Sequence, residues 1–251
     1  MRRKKRRGSS RFIFIFLLII LGLSLIYFGL KYFLSELDMF NLEHVAIKGN
    51  VNLEKQYLAN FLKDEINKNI FEIDKEKIML NYRNLTRIKD IKIKKVLPDK
   101  IQIEIKERKA IFLLKTKKGR LIPLDKEKIA LSKQILYKSD ILPIIDSELE
   151  LDKDFYLGEI VENDFVDEIY KMRNQIEEYD KDFFVNISEV YRENNDLIFV
   201  ENNIGYKIIL GEQDYQAKIS GYNFIRQLRN LQKEQTIILK WDDKLVLSKG
   251  D

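Results

Sequence analysis

The apolar pattern begins with an unbroken run. Phe12 to Leu30 is nineteen residues without a charge, and fifteen of them are Phe, Ile or Leu. As a helix this run spans about 28 Å, close to the hydrocarbon thickness of a bilayer. At about −0.3 to −0.6 kcal/mol per large apolar residue, insertion is favoured by about 5 to 9 kcal/mol, an upper bound because these are mid-membrane values. Lys31 sits at the far edge, where its stem can snorkel. The apolar core of a cleaved signal peptide is about 7 to 15 residues and ends in small residues. Here the run is longer, and Lys-Tyr-Phe-Leu-Ser-Glu-Leu-Asp follows it. The pattern predicts an uncleaved membrane helix over 12–34. Gly22, Ser24 and Gly29 are not at G-x-x-x-G spacing, so no helix-dimer motif is present.

From Phe40 the pattern breaks into short, strongly periodic pieces. Val45 to Lys48 reads as a strand stopped by Gly49-Asn50, a turn pair. Asn52 is placed to cap a helix over Leu53 to Lys63, with Leu53, Tyr57, Leu58, Phe61 and Leu62 on one face. Asp74 is a second cap candidate, followed by Ile78, Tyr82 and Leu85 at helical spacing. Ile91 to Val96 reads as a strand, and Leu97-Pro98-Asp99-Lys100 suits a type I turn. Ile101, Ile103 and Ile105 then alternate with polar residues, as in a half-buried strand. Strand, helix, helix, strand, strand makes a small α+β unit with two helices on one sheet face.

Beyond Lys109 the apolar stretches are Ile111–Leu114, Leu121–Leu124, Ile129–Leu131 and Leu142–Ile145. Asp164 can cap a helix carrying Phe165, Ile169, Met172 and Ile176 on one side. Strands follow at Leu197–Val200 and Gly205–Leu210, then a helix from about Tyr215 to Leu231 with Tyr215, Ile219, Tyr222 and Leu228 inward. A last hairpin is expected from Thr236–Trp241 and Leu245–Leu247, turning at Asp242-Asp243-Lys244. The whole is α+β: a basic tail at 1–11, the membrane helix, a β-α-α-β-β domain at 40–108, a mixed β-sheet domain with helices at 109–247, and a tail at 248–251.

Charge sharpens this picture. Of 251 residues, 45 are basic and 40 acidic, and seven of the basic ones lie in the first eleven positions. From Glu36 onward the count is 37 basic and 40 acidic. The basic excess belongs to the tail, so the folded part does not carry the positive surface of a nucleic-acid-binding domain. The tail instead orients the span: the positive-inside rule puts Met1 to Arg11 in the cytoplasm and the bulk of the chain outside.

Candidate chemistry is sparse. There is no cysteine and one histidine, His44, which excludes thiol chemistry and multi-histidine metal sites. No P-loop, G-x-G-x-x-G, G-x-S-x-G or S-x-x-K motif occurs. The acidic run Asp146, Glu148, Glu150, Asp152 and Asp154 lacks the central glycine and twelfth-position ligand of a calcium loop and reads as a solvated loop. No enzyme, no cofactor and no small-molecule substrate is expected.

Three stretches carry a resemblance. They are F-x-x-x-x-V-x-I-x-G-N (Phe40, Val45, Ile47, Gly49, Asn50), N-I-F-x-I-D (Asn69, Ile70, Phe71, Asp74) and V-L-P-x-x-I-x-I-x-I-x-E-R (Pro98, Ile101, Ile103, Ile105, Glu107, Arg108). In this order, after a basic tail and one span, the chain resembles the FtsQ/DivIB cell-division proteins, whose first external module is a POTRA domain. Ala110 departs from the proline many members carry after the Glu-Arg pair, which could itself form an ion pair at the module boundary. The final hairpin is similar to the family's C-terminal signature in Ile237, Leu239, Lys240 and Trp241, with Ile238 in place of its acid.

The resemblance implies a non-enzymatic bitopic scaffold at the division septum, binding partners of the FtsB and FtsL families. Strand addition at an open C-terminal edge is the expected mode. Ile237, Leu239, Lys240, Trp241, Asp243 and Tyr222 are the expected partner-binding residues, with Lys240 and Trp241 foremost. The alternative for Trp241 is to close the core of its own domain. The alternative is a POTRA-like module serving polypeptide export or envelope assembly.

Overall fold

A computed structural model describes residues 9–132, 142–211, 214–228, 230–241 and 244–249. The chain divides into two compact units: Met1–Arg83 with Asp90–Lys106, and Asn84–Lys89 with Glu107–Asp251.

In the first unit, helix α1 (Ser9–Ser35) contains the one segment among the described residues long and apolar enough to cross a membrane, Phe12–Ser35. None of it is buried inside the protein. Its carboxyl end meets Asn69. The Asn69 side-chain amide donates to the carbonyls of Leu34 and Ser35 at 3.0 and 3.1 Å, while its oxygen accepts from the Phe71 amide at 3.0 Å. Those carbonyls are among the orphan acceptors that every helix end leaves. With Asn69 only 4 % exposed, one side chain closes the helix and holds the following turn.

The remainder of this unit is β1 (His44–Lys48), α2 (Lys55–Ala59) continuing into a 3-10 helix over Asn60–Glu65, α3 (Lys75–Arg83), β2 (Ile88–Val96) and β3 (Lys100–Glu107). The sheet order is β1-β3-β2, with β1 parallel to β3 and Val45 and Ile47 opposite Ile101 and Ile103. The alternating isoleucines of β3 are buried, and so are Leu58 and Leu62, with Ile78 and Tyr82 of α3. Tyr82 donates its hydroxyl to the Leu58 carbonyl at 2.6 Å. Gly49 follows β1 at φ +80, and a Cβ there would stand 2.1 Å from the Ile105 carbonyl oxygen. Only a glycine fits so close to a neighbouring backbone.

Two local expectations change and one holds. The first helix is capped at Glu54 rather than Asn52, without a side-chain bond, and it tightens after one turn. Asp74 does cap α3, accepting from the amides of Glu76 and Lys77 at 2.9 and 3.4 Å. The Leu97–Pro98 bond in the β2–β3 turn is cis.

The second unit is built on an eight-stranded sheet of order β11-β10-β9-β8-β7-β6-β4-β5. Its elements are β4 (Ala110–Lys115), β5 (Leu121–Asp125), β6 (Ile144–Asp146), α4 (Asp164–Glu177), β7 (Ile187–Glu193), β8 (Asp196–Glu201), β9 (Lys207–Ile209), α5 (Tyr215–Leu228), β10 (Gln235–Trp241) and β11 (Lys244–Lys249). The β4–β6, β6–β7 and β9–β10 pairs are parallel, the others antiparallel. Ile169, Met172 and Ile176 of α4 and Ile219 and Tyr222 of α5 pack on the sheet around Phe112, Phe183, Phe184 and Phe199. The Arg173 guanidinium lies 5.0 Å from the ring centres of both Phe112 and Phe184.

Asn163 caps α4, one residue before the expected Asp164, accepting from the amides of Phe165 and Val166 at 3.1 and 3.2 Å. Ile129–Leu131 makes isolated bridges rather than a strand. Strand β7 has no counterpart in the sequence reading. At the module boundary Arg108 reaches Asp125 at 2.6 Å and Glu127 at 2.7 Å. Lys89 also pairs with Glu127. These two cations hold the Glu127 carboxyl at about 2, well below its usual range. Thr86 accepts from the Ser132 amide, and Arg87 donates to the Ser132 carbonyl, both at 2.8 Å. The acidic loop is tied to lysines, with Lys115 on Asp146 at 2.7 Å and Lys118 on Glu150 at 3.0 Å.

Candidate partner-binding interface

The carboxyl-terminal hairpin forms one border of the larger sheet. Strand β9 leads through α5 into β10, which lies parallel to β9 with Ile237 opposite Ile208. The chain then turns back as β11, pairing Ile237 with Leu247 and Ile238 with Val246. The register shifts between Ile238 and Trp241, and Trp241 pairs with Lys244. In the sheet order β11 is terminal. A terminal strand presents one row of backbone amides and carbonyls away from its neighbour, which is the requirement for accepting another strand.

At the opposite border β5 is treated differently. The Leu131 amide donates to the Pro123 carbonyl at 2.8 Å, and Ala130 bridges to Leu124, so the 129–131 segment lies along it. The two borders are therefore unequal, and β11 is the candidate.

The side chains divide by face. Ile237 is fully buried and Leu239 is 4 % exposed, so both belong to the core of this unit. Tyr222 is 1 % exposed, and its hydroxyl meets that of Tyr206 at 3.0 Å. Burial pushes the Tyr222 phenol well above its usual pKa. These three expected contact residues thus point away from any partner at the edge, because the periodicity that puts a side chain inward, two residues in β10 and the helical face in α5, also removes it from the surface. Only the backbone of Ile237 and Leu239 runs through the hairpin.

Lys240 is half-buried and pairs with Asp196 of β8. Trp241 closes β10 through its backbone; its side chain and Asp243 lie outside the described residues. Val246, 39 % exposed, stands on the outer strand. Lys240 is engaged within the sheet, so what the border offers is main-chain hydrogen bonding, flanked by side chains such as Val246.

Gly211 belongs to this border as well, although the sequence suggested only a strand stop. Its φ is +64, and a Cβ would lie 2.9 Å from the Lys240 Cα. The loop after β9 is pressed onto β10, and glycine is the residue type that permits it. Nothing in the sequence identified Asp196 as the partner of Lys240, since an ion pair between distant strands leaves no periodic trace.

Elsewhere among the described residues, one group of mixed donors gathers on the first unit. The His44 Nδ1 lies 2.9 Å from Asp99 Oδ2, and Glu43 stands beside them.

Comparison with known proteins follows the same lines. Residues 40–108 match the family model described as POTRA domain, FtsQ-type. The chain is 33% identical over 110 residues to the cell division protein DivIB of Clostridium botulinum strain Hall, covering 44% of this chain and 40% of that protein. To DivIB of the Loch Maree strain it is 32% identical over 120 residues, 48% and 44% of the two chains. To DivIB of Clostridium tetani it is 26% identical over 185 residues, 72% and 68%. The first two matches span less than half the length of those relatives. Residues 40–108 form a POTRA domain of the FtsQ type, and the chain is similar over part of its length to proteins named cell division protein DivIB.

Proposed function

We propose that this chain is a non-catalytic, bitopic scaffold of the bacterial division machinery, with the POTRA domain at 40–108 and a partner-binding domain at 109–247. The reading has α1 as the anchor, the basic amino terminus in the cytoplasm and both domains outside the membrane at the septum. Its charge distribution supports that orientation, because the seven basic residues ahead of the span are the positive-inside signal. Single-pass division proteins of the FtsB and FtsL type bind the β11 border by adding a strand. The observation that carries this is the terminal position of β11 in a large sheet, in a chain similar to proteins named for cell division. Val246 and Trp241 supply side-chain selectivity around the main-chain bonds, as alternate residues do in strand addition.

The test is an affinity capture of the full chain from detergent-solubilised membranes, read by mass spectrometry. Wild type, Trp241→Ala and Val246→Pro are compared, the proline removing an amide from the border strand. Small single-pass division proteins recovered with wild type and lost with Val246→Pro, at an unchanged melting temperature, are the expected result. Equal recovery by all three variants would move the site off this border. Recovery of export or barrel-assembly components in their place would overturn the division reading.

A further inference from the structure

The one histidine of the chain is not isolated. The amides of Glu43 and His44 both donate to the main-chain oxygen of Asp99, at 3.0 and 3.1 Å. This fixes the entry of β1 against the β2–β3 turn. On that frame the His44 Nδ1 stands 2.9 Å from Asp99 Oδ2. One ligand atom from each of Glu43, His44 and Asp99 lies within 4.8 Å of the others. The imidazole is open to solvent and the Asp99 carboxylate is partly so, which leaves a path for an ion to enter.

From this geometry we infer that Glu43, His44 and Asp99 form a surface site for a borderline divalent transition cation, Zn²⁺ or Co²⁺, that staples the start of β1 to the β2–β3 turn. One imidazole nitrogen with two carboxylate oxygens is a donor set such cations accept, water completing the shell. Zinc–ligand lengths of about 2.0 to 2.2 Å put tetrahedral donors about 3.4 Å apart. The His44–Asp99 contact therefore opens by about half an ångström, the ion replacing the proton between them. Because the main chain already holds Glu43 and His44 at Asp99, binding orders side-chain rotamers and little else. Two carboxylates balance the charge of the ion. Lys100, in register with His44, is a like charge nearby and limits the affinity. Magnesium and calcium, which require six or more oxygen ligands or several retained waters, are poorly served. The sequence alone gave no metal site, since Asp99 lies 55 positions from His44.

The experiment uses the full chain without a histidine tag, purified in detergent and stripped of metal. With a single histidine, the readout of coordination is unambiguous: one set of imidazole ring signals in the NMR spectrum. Zn²⁺ is expected to shift those signals saturably at one ion per chain, while Ca²⁺ and Mg²⁺ at the same concentration leave them in place. His44→Ala and Asp99→Asn are each expected to weaken Co²⁺ binding, read by its visible absorption, by about tenfold or more, the scale seen when a metal site loses a supporting group. Glu43→Gln changes an exposed side chain and gives the same readout with the fold undisturbed. Unmoved ring signals at saturating Zn²⁺, or a Co²⁺ affinity equal to wild type in His44→Ala and Glu43→Gln, would overturn the assignment.

Discussion

Asn69 closes the apolar helix α1 with one amide, and exchanging it tests whether that amide does what its position implies. In Asn69→Ala three hydrogen bonds disappear: two onto the carbonyls of Leu34 and Ser35 and one from the Phe71 amide. At about 1 kcal/mol each, with some recovery by water at the freed carbonyls, the loss is about 2 to 3 kcal/mol. Asn69→Asp has nearly the same shape but a different sign. It keeps the acceptor for Phe71, yet turns an anionic oxygen toward two carbonyls at the negative end of the helix dipole, in a position only 4 % exposed. Repulsion there adds about 1 to 2 kcal/mol to the two lost bonds. The aspartate variant should therefore be less stable than the alanine variant at neutral pH.

The sign with pH follows from the same contacts. Carbonyls and burial favour the protonated aspartate, so its folded pKa stands above the unfolded one. The penalty is complete above the folded pKa and fades as pH falls, when the carboxyl can donate as the amide did. Because a chain of two units need not unfold in one step, the readout is amide hydrogen exchange resolved over residues 36–83, in detergent. Amides that exchange only through opening of this unit should speed up by about 30- to 150-fold in Asn69→Ala, at 1.36 kcal/mol per tenfold. An aspartate variant as well protected as wild type, or better protected than the alanine variant at pH 7, refutes the reasoning.

Two further outcomes are expected. Gly49→Ala combines a left-handed residue at φ +80 with a Cβ 2.1 Å from the Ile105 oxygen, costing about 2 to 5 kcal/mol through backbone strain and forced displacement; a loss below about 1 kcal/mol in urea denaturation would mean the strand has room to yield. The Glu127 carboxyl, held at about 2 by Lys89 and Arg108, stabilises the second unit fully above the usual carboxylate value and progressively less as pH falls toward 2. Glu127→Gln should flatten that part of the acid denaturation curve, and an identical acid limb in both proteins would show that the two cations do not act through this residue.

The small unit was largely legible because its periodicities are strong. Ile101, Ile103 and Ile105 alternate, and all three are buried; the expected cap of α3 fell on Asp74, and that of α4 one residue after Asn163. The elements that escaped lack such a signal. In β7 the buried residues Ile187 and Val190 are three apart, with Ser188 and Glu189 between them, a spacing that suits neither a strand alternation nor a full helical face. The 3-10 stretch Asn60–Glu65 continues the apolar spacing of α2, and periodicity alone does not separate the two geometries. At the border the position of the hairpin was readable, but its chemistry was not. Tyr222, Ile237 and Leu239 carry the inward half of their elements' patterns, and the resemblance drew them toward a partner although the same patterns mark them as core. The groups left at the border are backbone amides and carbonyls, which every residue has and no sequence pattern distinguishes.

The six residues Asn84–Lys89 interrupt the first unit in sequence while belonging to the second in space. A graft that exchanges 40–108 for the same stretch of a relative would look like a clean domain swap, yet it would replace Thr86 and Arg87 and so the hydrogen bonds that both make to Ser132. Lys89 and Arg108 would change hands too, and with them the charges facing Glu127. Chimeras of this chain are better joined so that 84–89 and 107–108 travel with the acceptor.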